Sequence, residues 1–68
     1  MKIQDKIRFM REARNWSQEY MAEKLHMSTN GYAKIERGET KAYISKLEQI
    51  AEIFDVDLME LMECMVSP

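Results

Sequence analysis

The sequence predicts a compact all-α domain of five short helices. Three observations lead there. Apolar residues recur at intervals of three and four along nearly the whole chain. No stretch alternates with period two for long enough to argue for a strand. Side-chain caps flanked by apolar residues mark helix starts at three separate places.

The elements follow in order. Ile3, Ile7 and Met10 mark the inner face of a first helix over 2–14. Ser17 can cap a second helix over 18–25, with Trp16 and Met21 at the two positions of a hydrophobic staple. Met21, Ala22 and Leu25 form its inner face. The arrangement returns as Met27, Ser28 and Tyr32, opening a third helix over 29–37 with Tyr32 and Ile35 inside. Gly38 stops that helix, because glycine enters the left-handed conformation without a side-chain clash. A fourth helix, 43–54, carries Ile44, Leu47, Ile50, Ala51 and Phe54, and its start falls between Thr40 and Tyr43. Val56, Asp57 and Leu61 repeat the cap and staple for a fifth helix, 58–65, with Glu60 completing an acidic capping box. The second and third helices, divided only by His26, Met27 and Ser28, describe a helix-turn-helix over 18–37.

At 68 residues the chain is expected to form one domain over 1–68. Its composition, 46% apolar and 32% charged, suits neither a disordered tail nor a membrane span. No run approaches the ~18–20 apolar residues of a transmembrane helix. MKIQDKIRF has no apolar secretory core, and the one cysteine, Cys64, leaves no intramolecular disulfide. These features lead to the expectation of a cytoplasmic protein with no membrane partner. Charge is split along the chain. Residues 1–41 hold nine Lys/Arg against six acids, net +3, whereas 42–68 hold only Lys46 against six acids, net −5. A basic front and an acidic back suit a protein that offers one face to a polyanion.

Other chemistries fail on inventory. His26 and Cys64 are the only residues of their types, so no zinc cluster or oriented Cys–His nucleophile is expected. No glycine-rich phosphate loop occurs. The expectation is therefore no enzyme, no cofactor, no metal and no small-molecule ligand.

The run Ile7-Arg8-Phe9-Met10-Arg11-Glu12-Ala13-Arg14, then Trp16-Ser17-Gln18-Glu19 and Met21-Ala22-Glu23-Lys24-Leu25, closely resembles the Cro/repressor-type (XRE) helix-turn-helix domain. The likeness continues through Ser28, Tyr32, Ile35-Glu36-Arg37-Gly38 and Leu47-Glu48-Gln49-Ile50-Ala51, and ends with Val56-Asp57-Leu58 and Leu61. It implies a lambda-repressor-like fold and a sequence-specific DNA-binding regulator, a repressor acting by operator occupancy. An antitoxin or phage-type control protein would carry the same residues. Two positions depart from the family: His26 stands where it usually has glycine in the turn, and Ala42-Tyr43 where it commonly has Pro-Ser. Histidine tolerates the left-handed conformation better than most residues, at a cost of ~1–2 kcal/mol.

The resemblance also assigns roles. The third helix would enter the major groove, with Thr29, Asn30, Gly31 and Lys34 at base-reading positions. Helical geometry turns Thr29, Asn30, Ala33 and Lys34 outward once Tyr32 and Ile35 face the core. Asn can bond two sites on adenine, Lys prefers guanine, and Thr can touch a thymine methyl. Ser17 and Gln18, with the amides of their helix start, would hold a phosphate, as would Arg37 and Lys41. Arg11 and Glu36 would form a structural ion pair. Arg14, Arg8, Lys2 and Lys6 read as a solvated face. Met59, Met62 and Val66 have no element to cover them and would form a homodimer interface, implying a near-palindromic double-stranded DNA operator. The alternative is a protein-interaction adaptor that keeps the fold without DNA binding, motivated by the acidic pI near 5.3 and by Gly31.

Overall fold

The computed structural model describes residues 2–62. Five helices follow one another there: α1 (Ile3–Ala13), α2 (Gln18–Lys24), α3 (Thr29–Arg37), α4 (Ile44–Phe54) and α5 (Leu58–Met62). No strand occurs among the described residues. The expected continuation of the fifth helix to residue 65 lies outside them.

Three of the four connections share one local design. After α1, α2 and α4 come Asn15, His26 and Asp55, each left-handed at φ 59°, 57° and 59°. A half-buried apolar residue follows, Trp16, Met27 or Val56, and then Ser17, Ser28 or Asp57. The N–H groups of Trp16, Met27 and Val56 donate to the carbonyls of Arg11, Ala22 and Ala51 at 3.2, 2.9 and 3.0 Å, closing each helix end. At α2 and α3 the next helix is then opened by a side-chain cap. Ser17 Oγ accepts from the Tyr20 N–H at 2.9 Å, and Ser28 Oγ from the Gly31 N–H at 3.0 Å. His26 is thus left-handed as expected, and so, unanticipated, are Asn15 and Asp55. The fourth connection uses Gly38 at φ 76°. A Cβ there would meet only the movable end of the Gln4 side chain, so it is the left-handed backbone that calls for glycine.

Each helix contributes one large, fully buried side chain to a common core: Ile7, Met21, Tyr32, Ile50 and Leu61. Leu25, Leu47 and Phe54 pack with them. The Trp16 ring stacks on Phe54 at 5.9 Å between centroids, linking the α1–α2 connection to α4. Two expectations about α4 are corrected. Tyr43 is its N-cap rather than its first residue, without a side-chain capping bond. Ile44, placed on the inner face by periodicity, is 52% exposed. It lies in the first turn, and burial along α4 begins only at Leu47. No helix among the described residues is long and apolar enough to cross a membrane.

Candidate nucleic-acid interface

Helix α3 packs against both α1 and α2, which divides its surface sharply. Tyr32, Ala33, Ile35 and Glu36 are buried, while Thr29, Asn30, Lys34 and Arg37 are exposed and Gly31 is partly covered. Asn30, Lys34 and Arg37 fall within roughly 60° of arc at ~100° per residue, so they share one open face. Ala33 corrects the outward placement: it is only 7% exposed. Two neighbouring helices widen the buried arc to ~160°, and Ala33 lies at its edge. Gly31 has a packing reason as well. A Cβ there would lie 3.1 Å from Ser28 Oγ and 3.3 Å from Met27 Cε, crowding the cap of its own helix.

Behind this face sits a buried polar node. Arg11 Nε donates to Glu36 Oε2 at 2.6 Å and Arg11 Nη2 to Glu36 Oε1 at 3.1 Å, a two-pronged pair between α1 and α3. Arg11 Nη1 also donates to the Trp16 carbonyl at 2.7 Å. Gln18 Nε2 donates to Glu36 Oε1 at 3.1 Å, so the first residue of α2 joins the node. Burial pushes the Glu36 carboxyl up, but the Arg11 bonds, aided by the Tyr32 and Gln18 dipoles and the Arg11 charge, outweigh it and hold the pKa low. The hydrogen bond to Glu36 raises the Arg11 pKa against the opposing effect of burial. Tyr32 reaches the same region from α3. Burial first, then the nearby Glu36 carboxylate, raises its phenol well above the usual range, and its hydroxyl makes no hydrogen bond of normal geometry among the described residues.

The expected Arg11–Glu36 pair is therefore present. The bond from Gln18 was not anticipated, since nothing in the spacing of residues 18 and 36 announces it. Lys34, Arg37 and Lys41 are all exposed. Arg37 Nε donates to Glu39 Oε2, which holds the Glu39 carboxyl below its ordinary value. Two residues read as solvated are instead engaged. Arg14 donates to the carbonyls of Met10 and Phe54 at 2.9 and 3.3 Å, and its guanidinium lies 4.9 Å from the Phe54 ring centroid. Lys6 Nζ donates to the Glu60 carbonyl at 2.8 Å. Arg8 pairs with Glu12 at 3.3 Å on the surface.

The surface of α4 and α5 carries an acidic groove. Glu48, Glu52, Asp55, Asp57 and Glu60 line one groove between α4 and α5, over Val56 and Leu58. Met59 is 81% exposed and Met62 half-buried. Val66, the third residue of the expected dimer surface, lies outside the described residues. Phe9 and Tyr43, 62% and 73% exposed, are apolar surface that the periodicity did not single out. No group of three or more potential metal ligands comes together among the described residues.

Two short capped helices, the second buried on one side and polar on the other, define a helix-turn-helix protein. A family model described as helix-turn-helix matches residues 7–61. The chain belongs to this Cro/XRE-type family of DNA-binding transcription regulators, whose domains bind double-stranded DNA and are not an enzyme class. Comparisons with curated proteins and with solved structures each gave no significant match.

Proposed function

We propose that the protein is a transcriptional repressor that occupies a near-palindromic operator as a homodimer. The observation that carries this reading is the division of α3: one side buried against α1 and α2, the other presenting Asn30, Lys34 and Arg37. Thr29, Asn30 and Lys34 read base edges, with Gly31 allowing close approach. Ser17, Gln18, Arg37 and Lys41 hold phosphates, and Arg11–Glu36 braces the interface. Such a protein works in the cytoplasm at the nucleoid, needs no cofactor, and acts by occupancy rather than by covalent chemistry. A two-fold axis through Met59, Met62 and Val66 would set two recognition helices about one DNA turn apart, roughly 34 Å.

A genome-wide footprint supplies the operator, and titration of that duplex with Asn30→Ala tests base reading. Discrimination at one base step is expected to fall by ~1–3 kcal/mol while non-specific affinity holds. Uniform weakening on every sequence would instead make Asn30 a phosphate contact. Sedimentation of the wild type and of Met59→Asp tests the dimer, and a wild type that is monomeric at micromolar concentration and binds a lone half-site would refute it. The acidic α4–α5 groove favours the one competing reading, an adaptor for a basic partner. Absence of DNA affinity at low salt would put that reading first.

A further inference from the structure

We infer that Glu36 aims the Gln18 side-chain amide at the DNA backbone, so that the Arg11–Glu36 pair positions a phosphate contact as well as bracing the fold. The inference rests on the proposed role of Gln18 as a phosphate contact and names what holds it in place. Glu36 is 6% exposed and its Oε1 lies 3.1 Å from Gln18 Nε2. The same carboxylate is gripped at both oxygens by Arg11, whose third donor takes the Trp16 carbonyl at 2.7 Å. Residues 16 and 18, on either side of the Ser17 cap, are thus tied to one buried pair.

The chemistry of the amide gives this tie a direction. An ionised carboxylate only accepts hydrogen bonds, so Gln18 must turn its NH2 end, not its oxygen, toward Glu36. One N–H is engaged there and the second remains. A phosphate oxygen also only accepts, so the second N–H is what it requires. Released from Glu36, the amide could rotate and offer its oxygen, which a phosphate repels. Gln18 would also have to lose more rotamer freedom on binding. Arg11 completes the arrangement by neutralising a carboxylate that would otherwise act on the approaching backbone. Glu36 and Arg11 are positioning residues in this scheme, and Gln18 makes the contact.

The test is a mutant cycle on the full chain, titrated into a fluorescent duplex of arbitrary sequence at low salt. Arg11→Met and Glu36→Met are made together, because replacing a whole buried pair by apolar side chains commonly keeps the fold. Gln18→Met and the triple variant complete the cycle, and thermal melts fix a temperature at which every variant is folded. Gln18→Met is expected to weaken binding about tenfold, the worth of one hydrogen bond to a charged group. The Arg11/Glu36 double variant should weaken it comparably, and the triple variant no more than Gln18→Met alone. Losses that multiply in the triple variant, or a Gln18→Met protein that binds like wild type, overturn the inference while leaving DNA binding intact. Failure of the wild type to bind any duplex would overturn the functional reading itself. Should the double variant not fold, the Gln18 side-chain NH2 signals in the wild type decide. Slow exchange and a downfield shift support the tie to Glu36, and solvent-like values overturn it.

Discussion

Residues 3–37 and residues 44–62 share one core, yet the contacts that orient their helices differ in kind. In the first region α1, α2 and α3 meet at a buried node of Arg11, Glu36 and Gln18, with hydrogen bonds to both Glu36 oxygens. In the second, α4 and α5 are set by Leu47, Ile50, Phe54 and Leu61. Their polar ties to α1 run to backbone carbonyls, from Arg14 to Phe54 and from Lys6 to Glu60. Hydrogen bonds are directional and apolar contacts are not. A surface that must present three or four side chains in fixed geometry is therefore built where the directional contacts are. The rear helices need only close the core.

The largest expected difference is the response to losing one partner. Arg11→Ala leaves the Glu36 charge buried without its cation, which costs ~3–5 kcal/mol. A core of this size rarely provides more than ~3–5 kcal/mol in all, so circular dichroism should find no cooperative melt for that variant at 25 °C. In the rear, Ile50→Val removes one methylene from a fully buried side chain. That change should cost ~0.5–1.5 kcal/mol and keep a sharp transition.

Acid separates the two regions by a smaller margin. Glu36 is held below its ordinary value of 4.5 in the folded protein. A depressed carboxylate contributes stability that is complete above the unfolded-state value and is lost as pH falls through the folded one. Melts from pH 7 downward should therefore show wild-type stability falling once the ordinary carboxylate range is passed. The Arg11→Met/Glu36→Met protein should have a flatter profile there. The increment caused by Ile50→Val should not change with pH, since it removes only apolar contact from the core. An equally steep decline in the paired-methionine protein would assign the acid sensitivity to other carboxylates.

Legibility in the sequence follows the same division. The caps at Ser17 and Ser28 are local, governed by residues within four positions, and the structure has them where the sequence places them. The inward set Ile7, Met21, Tyr32 and Ile50 follows from periodicity. The misread positions depend on which helix lies alongside. Ala33 is buried because two helices press on α3, and Ile44 is exposed because the first turn of α4 precedes its packed stretch. Arg14 and Lys6 look like surface charge until the carbonyls of Phe54 and Glu60 arrive beside them. The Arg11–Glu36 pair was expected from family resemblance, whereas the Gln18 bond to it depends on three helices meeting.

The smallest expected effect lies in the connections that both regions share. Asn15, His26 and Asp55 all hold a left-handed backbone that costs a side-chain-bearing residue ~1–2 kcal/mol. Asn and Asp recover part of this because a short polar side chain can bond locally, so the strain should be greatest at His26. His26→Gly removes the clash but adds freedom to the unfolded chain, which offsets part of the gain. The net expectation is a stabilisation of about 1 kcal/mol, with smaller gains for Asn15→Gly and Asp55→Gly. Thermal melts of the three single variants rank them directly. His26 also lines a shallow groove with Tyr20, Lys24 and Glu52, where its imidazole is within reach of polar groups that glycine could not meet. A lower melting temperature for His26→Gly would mean that interactions of the imidazole in this groove outweigh the backbone strain. The front region would then owe its rigidity to the turn side chain as well as to the ion pair.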